Sequence, residues 1–199
     1  MRIVIVGAGS QGAIVADILR ERAIGFVDDV RPGTTVLGLP VFGLVASLPD
    51  VPHDAIVVAV GDNRARRELT ERLVASGERL VSAIHPFTSI APSATIGEGA
   101  MISAGALVLP RATIGRGVLL NTKSSVDHDT VIGDFAHVSC GATVGGRCHI
   151  GEETMIAIGA SVVSGYRVGA RTIIGAGAVV VHDIGDGVTA MGAPARVRV

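Results

Sequence analysis

The stretch Val126-Asp127-His128-Asp129-Thr130-Val131-Ile132-Gly133-Asp134-Phe135-Ala136-His137-Val138 places an aliphatic residue at Val126, Ile132 and Val138, six apart. Outward from it the same spacing runs unbroken through Ile84, Ile90, Ile96, Ile102, Val108, Ile114 and Leu120 on one side. On the other it runs through Val144, Ile150, Ile156, Val162, Val168, Ile174 and Val180. Four residues after most of these comes a small side chain, as at Ala100, Ala106, Ala112, Ser124, Ala136, Ala142, Cys148, Thr154, Ala160, Thr172 and Ala178. Hexapeptide repetition of this kind builds a parallel β-helix rather than ordinary helices and sheets. Glycine follows the aliphatic residue at Gly97, Gly115, Gly133, Gly151 and Gly169, so three hexapeptides make one coil of eighteen residues.

Each hexapeptide is a short strand whose aliphatic residue points into a prism. The small residue sits near a corner where a larger one would crowd the turn, and glycine is expected to serve the corners. Coils stack at about 4.8 Å, so residues eighteen apart lie above one another. In one such column stand Pro110, His128, Gly146, Ser164 and His182. A histidine is the natural base near neutral pH, and the backbone N–H of Gly146 one coil above it could face a developing oxyanion. Another column holds Met101, Leu119, His137, Met155 and Ile173, outward by alternation yet apolar apart from the histidine. An apolar strip on an outer face needs a partner, and three prisms packed around an axis would cover it. His85, His149 and His182 are read as ordinary outward histidines.

Before Ile84 the pattern changes, which divides the chain of 199 residues into 1–83 and 84–199. A net charge of −1 and the lack of a basic run give no electrostatic reason to expect nucleic acid. Apolar residues make up 48% of the chain, but the repeat spreads them, and none of the runs approaches the roughly 20 residues of a membrane span. The opening Met1-Arg2-Ile3-Val4-Ile5-Val6 is too short an apolar run for a signal peptide, so a cytoplasmic protein is expected. Cys140 and Cys148 lack metal-ligand spacing and are expected to be reduced and structural.

Residues 1–83 read as a small Rossmann-like α/β unit. Strands are expected at Ile3–Val6, ending at Phe26-Val27, at Ala55–Val60 and at Leu80–Ile84, with helices over Ala13–Glu21 and from Asn63 through Ala75. Alternating strands and helices imply a parallel sheet with its ligand at the strands' carboxyl ends, where Gly9, Ser10, Gln11, Asp28, Asp29 and Gly61 fall. The loop Gly7-Ala8-Gly9-Ser10-Gln11-Gly12 places backbone N–H groups and a helix N-terminus where a phosphate can sit. Four strands are only about half of the sheet that usually holds a dinucleotide, which favours a mononucleotide or nucleotide-sugar over NAD.

Both halves together resemble the bacterial nucleotide-sugar acetyltransferases of the PglD and sialate-O-acetyltransferase type. The resemblance rests on Val6-Gly7-Ala8-Gly9-Ser10-Gln11-Gly12, Asp28-Asp29, Val60-Gly61-Asp62-Asn63, Leu120-Asn121-Thr122, the stretch from Val126 to Ser139, and Met191-Gly192-Ala193-Pro194-Ala195-Arg196. It implies a left-handed β-helix, a homotrimer, and acetyl-CoA as co-substrate with no metal. It implies transfer of the acetyl group to an amine of a nucleotide-activated amino sugar. By the same resemblance His128 is the general base and Asp129 its orienting acid. His137 and the Gly146 backbone would meet the thioester, Ile158 and Ala176 would line the pantetheine path, and Gly9, Ser10, Gln11, Asp28, Asp29 and Gly61 would hold the nucleotide part. The orienting acid is often Glu in relatives, so the choice between Asp127 and Asp129 stays open. Three other readings stand: sugar O-acetylation, a γ-carbonic-anhydrase-like zinc enzyme using His128 and His137, and a non-catalytic nucleotide-sugar-binding protein.

Overall fold

A computed structural model describes residues 1–198. The chain forms two compact units, one over Met1–Ile84 and one from His85 onward.

In the first unit, three buried strands, β1 (Ile3–Val6), β2 (Ala23–Val27) and β5 (Ala55–Val58), form a parallel sheet in the order β2-β1-β5. Between β2 and β5 lies a small antiparallel hairpin, β3 (Thr35–Val36) and β4 (Leu39–Pro40). Helix α1 (Ser10–Leu19) follows β1, and α2 (Asn63–Ala75) follows β5. Val4, Val6, Val27, Leu48, Ile56, Val58 and Leu73 pack into one apolar core. The Asp62 carboxylate starts α2 by accepting the Ala65 N–H at 2.8 Å, the usual service of an aspartate N-cap. The expected fourth strand over Leu80–Ile84 is not continuous in this sheet: Leu80 makes only a single parallel bridge to Ile56. A run of apolar residues announced burial there and did not announce how far the pairing extends.

In the second unit, two-residue strands stack into parallel ladders whose register advances by eighteen, as in Val126 to Val144 to Val162 and Ile132 to Ile150 to Val168. Every aliphatic repeat position from Ile102 to Val180 is buried. Each such side chain removed from water contributes about 1.5–3 kcal/mol, which is what ties the coils to a common axis. At the small positions threonine adds a hydrogen bond without adding bulk. The hydroxyls of Thr130 and Thr172 donate to the carbonyls of Gly145 and Gly185 at 2.7 and 2.8 Å. The last coil is two residues short, because Val168 pairs with Ile184 and Ile173 with Thr189. Arg196–Val197 then adds an antiparallel strand to that end.

Glycine does two different jobs here, where the sequence suggested one. At Gly151 a Cβ would overlap the Ala170 backbone nitrogen of the next coil, so stacking distance demands glycine. The corners themselves lie three residues after the aliphatic position, where the backbone is left-handed, as at Gly141 and Gly177. Arg111, Asp129 and Arg147 occupy the same corner position on successive coils, with φ of 60, 58 and 57°.

Candidate active site

Asp129 is held in the left-handed region that aspartate tolerates better than most residues. From that corner its carboxylate turns back toward the preceding residue, and Oδ2 lies 2.7 Å from Nδ1 of His128. Asp127 is engaged elsewhere: its Oδ1 accepts the backbone N–H of His128 at 2.6 Å. Geometry therefore pairs the imidazole with Asp129. A ring that donates through Nδ1 to a carboxylate presents an unprotonated Nε2 on its other side. Gly146 packs against the face of this ring, where a Cβ would lie 2.7 Å from Nε2, 2.8 Å from Cε1 and 3.2 Å from Cδ2, so the in-plane lone pair of Nε2 stays at the ring's edge.

Arg111, which the sequence reading passed over, grips the same carboxylate. Its Nε donates to Oδ1 at 2.6 Å and its Nη2 to Oδ2 at 2.9 Å. First this guanidinium and then His128 hold the Asp129 carboxyl well below the usual carboxylate range, so it is ionised at any pH near neutrality. The pairing raises the arginine in turn. The column spacing of eighteen that located Gly146 also locates Arg111 beneath Asp129.

The Gly146 N–H, expected from the sequence to face a developing oxyanion, already has a partner within the prism. It donates to Ser164 Oγ, one coil above, at 3.1 Å. Ile158 and Ala176 are exposed and stacked at a different corner, where the Gly177 N–H donates to the Ile158 carbonyl at 2.9 Å. His137 lies on the strand leading into that second corner, with Nε2 3.3 Å from Ser139 Oγ. One prism thus presents His128, Asp129 and Gly146 at one corner, and His137, Ile158 and Ala176 around another, with the ladder through Thr143–Val144 between them.

The apolar column through His137 is also less open than alternation implied. Met101 and Leu119 are 0% exposed and His137 is 9% exposed, while Ile173 is 45% exposed. Alternation says which way a side chain points from its own strand. It does not say whether something else in the chain covers it.

In the first unit, Gly9, Ser10, Gln11, Asp28, Val60 and Gly61 line a cleft of about 470 Å³. Gly12 is required for packing, since a Cβ would overlap the Gly7 carbonyl, whereas a Cβ at Gly9 would meet nothing. Asp28 braces this loop. Its carboxylate accepts the N–H groups of Ala8 at 2.6 Å, Val30 at 2.7 Å and Arg31 at 3.1 Å. Burial pushes that carboxyl up, and the N–H groups outweigh burial and bring it below its ordinary value. Arg66, fully buried and unforeseen from sequence, donates to the carbonyls of Val60 and Gly61 at 2.9 and 3.2 Å and so fixes the opposite wall. Asp29 does not join this cleft. Its Oδ1 accepts the Val45 N–H at 2.8 Å, and it lines a separate cavity of about 410 Å³ with Leu48, Arg72, Ser76 and Glu78.

The remaining histidines have local partners. His85 Nδ1 accepts the Phe87 N–H at 3.0 Å, and His182 Nε2 lies 3.0 Å from the Ala195 carbonyl oxygen. Burial first and Arg167 second lower the pKa of His149. Cys140 and Cys148 are free thiols, and burial pushes Cys148 up. Among the described residues no three His, Cys, Asp or Glu side chains of one chain converge as a metal site, and no helix is long and apolar enough to cross a membrane.

Residues 2–73 match the PglD N-terminal domain family. The chain is 35% identical over 110 residues to the UDP-N-acetylbacillosamine N-acetyltransferase of Bacillus subtilis (strain 168). That match covers 51% of the chain and 51% of the relative, so it spans about half the length of the curated protein. GDP-perosamine N-acetyl transferase from Caulobacter crescentus, solved as a histidine-to-alanine variant with CoA and GDP-perosamine, is 36% identical. It is matched over 100% of this chain and 97% of its own, with a TM-score of 0.97. The acetyltransferase domain of PglB from Neisseria gonorrhoeae FA1090, in complex with acetyl coenzyme A, is 39% identical over 99% of this chain and 98% of its own, with a TM-score of 0.95. The architecture is accordingly a Rossmann-like unit followed by a left-handed parallel β-helix.

Proposed function

The chain belongs to the family of PglD-type nucleotide-sugar N-acetyltransferases, and from that premise we propose that it moves the acetyl group of acetyl-CoA to an amino group of a nucleotide-activated amino sugar. The observation that carries this reading is the His128–Asp129 pair, whose imidazole is held at Nδ1 and packs its face on Gly146. The sugar nitrogen bonds to the thioester carbon, and His128 Nε2 takes the proton it sheds. As the carbon–sulfur bond breaks, that proton goes to the departing sulfur, so amide and free thiol leave and His128 is restored. Gly146 N–H exchanges Ser164 Oγ for the thioester oxygen as negative charge gathers there.

The cleft at Gly9, Ser10, Gln11 and Gly61 would take the nucleotide, with phosphate at the start of α1 and Asp28 serving as a brace rather than a ligand. His137, Ile158 and Ala176 would receive the thioester and its pantetheine arm. These lie at a different corner from His128, so one prism does not assemble the acetyl site alone. A homotrimer would set one copy's corner against another's, with half-buried Met155 and exposed Ile173 at the open end of the contact. A cytoplasmic location fits the use of acetyl-CoA.

Thiol release from acetyl-CoA, screened against GDP-, UDP-, dTDP- and CMP-linked amino sugars and their hydroxyl counterparts, tests the reading. Release with an amino sugar supports it. Release only with the hydroxyl sugars would replace N- by O-acetylation, and binding without release would leave a nucleotide-sugar-binding protein. Met155→Lys with Ile173→Lys should lower the solution mass from trimer to monomer. Leu119 is unsuitable for that test because it is already buried within one chain.

A further inference from the structure

Arg111 and Asp129 stand on the same corner of successive coils. Both have left-handed backbone, so their side chains leave the prism in the same manner. The guanidinium meets the carboxylate as a fork, and the oxygen it shares, Oδ2, is the one that meets His128 Nδ1. Resting on the reading of His128 as base, we propose that Arg111 is a positioning residue for acetyl transfer. It fixes the orientation of the Asp129 carboxylate that holds His128 at Nδ1 and cancels the charge of that carboxylate beside the imidazole, so that the Nε2 edge stays free to accept a proton.

The need for such a residue follows from the acid being aspartate. Asp129 is about one-third exposed, and one bond to a histidine leaves its second oxygen free to swing. A two-point guanidinium contact removes that freedom. Charge points the same way. A bare carboxylate at 2.7 Å favours the imidazolium, and an imidazolium cannot accept a proton. An ion pair in the same place keeps the hydrogen bond and removes the net charge. The other charged groups here are Asp127, whose Oδ1 takes the His128 N–H, and Arg147, one coil above Asp129, whose N–H donates to the His128 carbonyl at 2.9 Å. Their bonds go to the His128 backbone and persist in the variants below, while the Asp129 carboxylate is held by Arg111 and His128. The Arg111 side chain is 65% exposed, so the ion pair adds little to stability and its removal leaves the prism folded.

The test compares Arg111→Gln, Arg111→Lys and His128→Ala by steady-state kinetics across pH. The substrates are acetyl-CoA and the nucleotide amino sugar with the highest thiol release on the wild type. The imidazole tautomer is followed by 15N NMR. Arg111→Gln should lower kcat by about ten- to a hundredfold, as for other small misplacements of a reacting group, with both KM values nearly unchanged. Its acidic limb should move to higher pH, and the NMR should show Nε2 gaining proton occupancy. Arg111→Lys should return the limb toward wild type, by charge, and recover only part of kcat, lacking the fork. Wild-type kcat, limb and tautomer in Arg111→Gln, beside an inactive His128→Ala, would overturn the proposal and leave the base in place. An active His128→Ala would remove both.

Discussion

A Cβ on Gly146 would stand 2.7 Å from His128 Nε2 and 2.8 Å from its Cε1, nearer than side chains approach one another. The backbone of Gly146 is outside the left-handed region, so alanine is tolerated there by the main chain and excluded only by the imidazole. The glycine lets the imidazole lie face-on against its backbone, in the orientation that leaves the in-plane lone pair of Nε2 at the ring's edge, where a proton arrives.

Gly146→Ala should therefore fold normally and lose about 10²-fold or more in kcat, the scale set by displacing a positioned base. The double variant Gly146→Ala with His128→Ala should be no slower than His128→Ala alone, because both remove the same event. Additive losses in that cycle would show that the alanine harms something other than the histidine.

Much of this was legible in the residues. The inward ladder from Ile102 to Val180 follows from a period that no helix shares, and the spacing of eighteen by itself sets Gly146 above His128. The choice between Asp127 and Asp129 was not legible, because it depends on the left-handed turn at Asp129 rather than on spacing. Asp28 and Asp29 are adjacent in sequence, and successive side chains at a strand end diverge, so they serve two different cavities. Arg66 is hidden in a charged helix. Its burial follows from carbonyls of the preceding loop that only the folded chain brings together.

Asp28 and Asp29 give opposite expectations for substrate use. Asp28→Ala leaves the N–H groups of Ala8, Val30 and Arg31 without their shared acceptor and loosens the glycine loop, so KM for the nucleotide sugar should rise about tenfold. Asp29→Ala should change it less than about twofold, since a residue outside the cleft contributes no direct contact. A larger effect from Asp29 would move the nucleotide to the second cavity. KM for acetyl-CoA is the control in both.

The first unit should lose stability on the alkaline side through His53. Burial disfavours the charged ring, and the Val51 carbonyl at 2.6 Å and the Glu78 carboxylate at 2.8 Å outweigh it, so the pKa is raised. A raised pKa means the contribution is complete below the ordinary histidine value of about 6.5 and is lost as pH rises through the folded value. Denaturant midpoints of the wild type should fall across that window, and His53→Gln should flatten the decline. An unchanged slope in the variant would assign it to another group.

The last expectation separates His128 from His137. As the sugar nitrogen bonds to the thioester carbon it becomes positively charged, and without an acceptor for its proton the adduct returns to reactants. His128, held at Nδ1 by Asp129, can supply that acceptor at Nε2. His128→Ala should lower kcat by about 10²–10⁴-fold with both substrates still binding, since the imidazole lies outside the buried ladder. His137 is 9% exposed, with Nε2 beside Ser139 Oγ, at the corner assigned to the thioester. His137→Ala should therefore raise KM for acetyl-CoA along with its effect on rate, and because the ring is buried it should also lower the thermal midpoint. His137→Gln keeps polar atoms and much of the volume, so it separates the two effects. If its midpoint recovers while KM for acetyl-CoA stays high, the ring contacts the thioester. If both recover, His137 serves packing alone. Near-normal kcat in His128→Ala would transfer the base to His137, whose variants would then fall in kcat instead of in acetyl-CoA affinity.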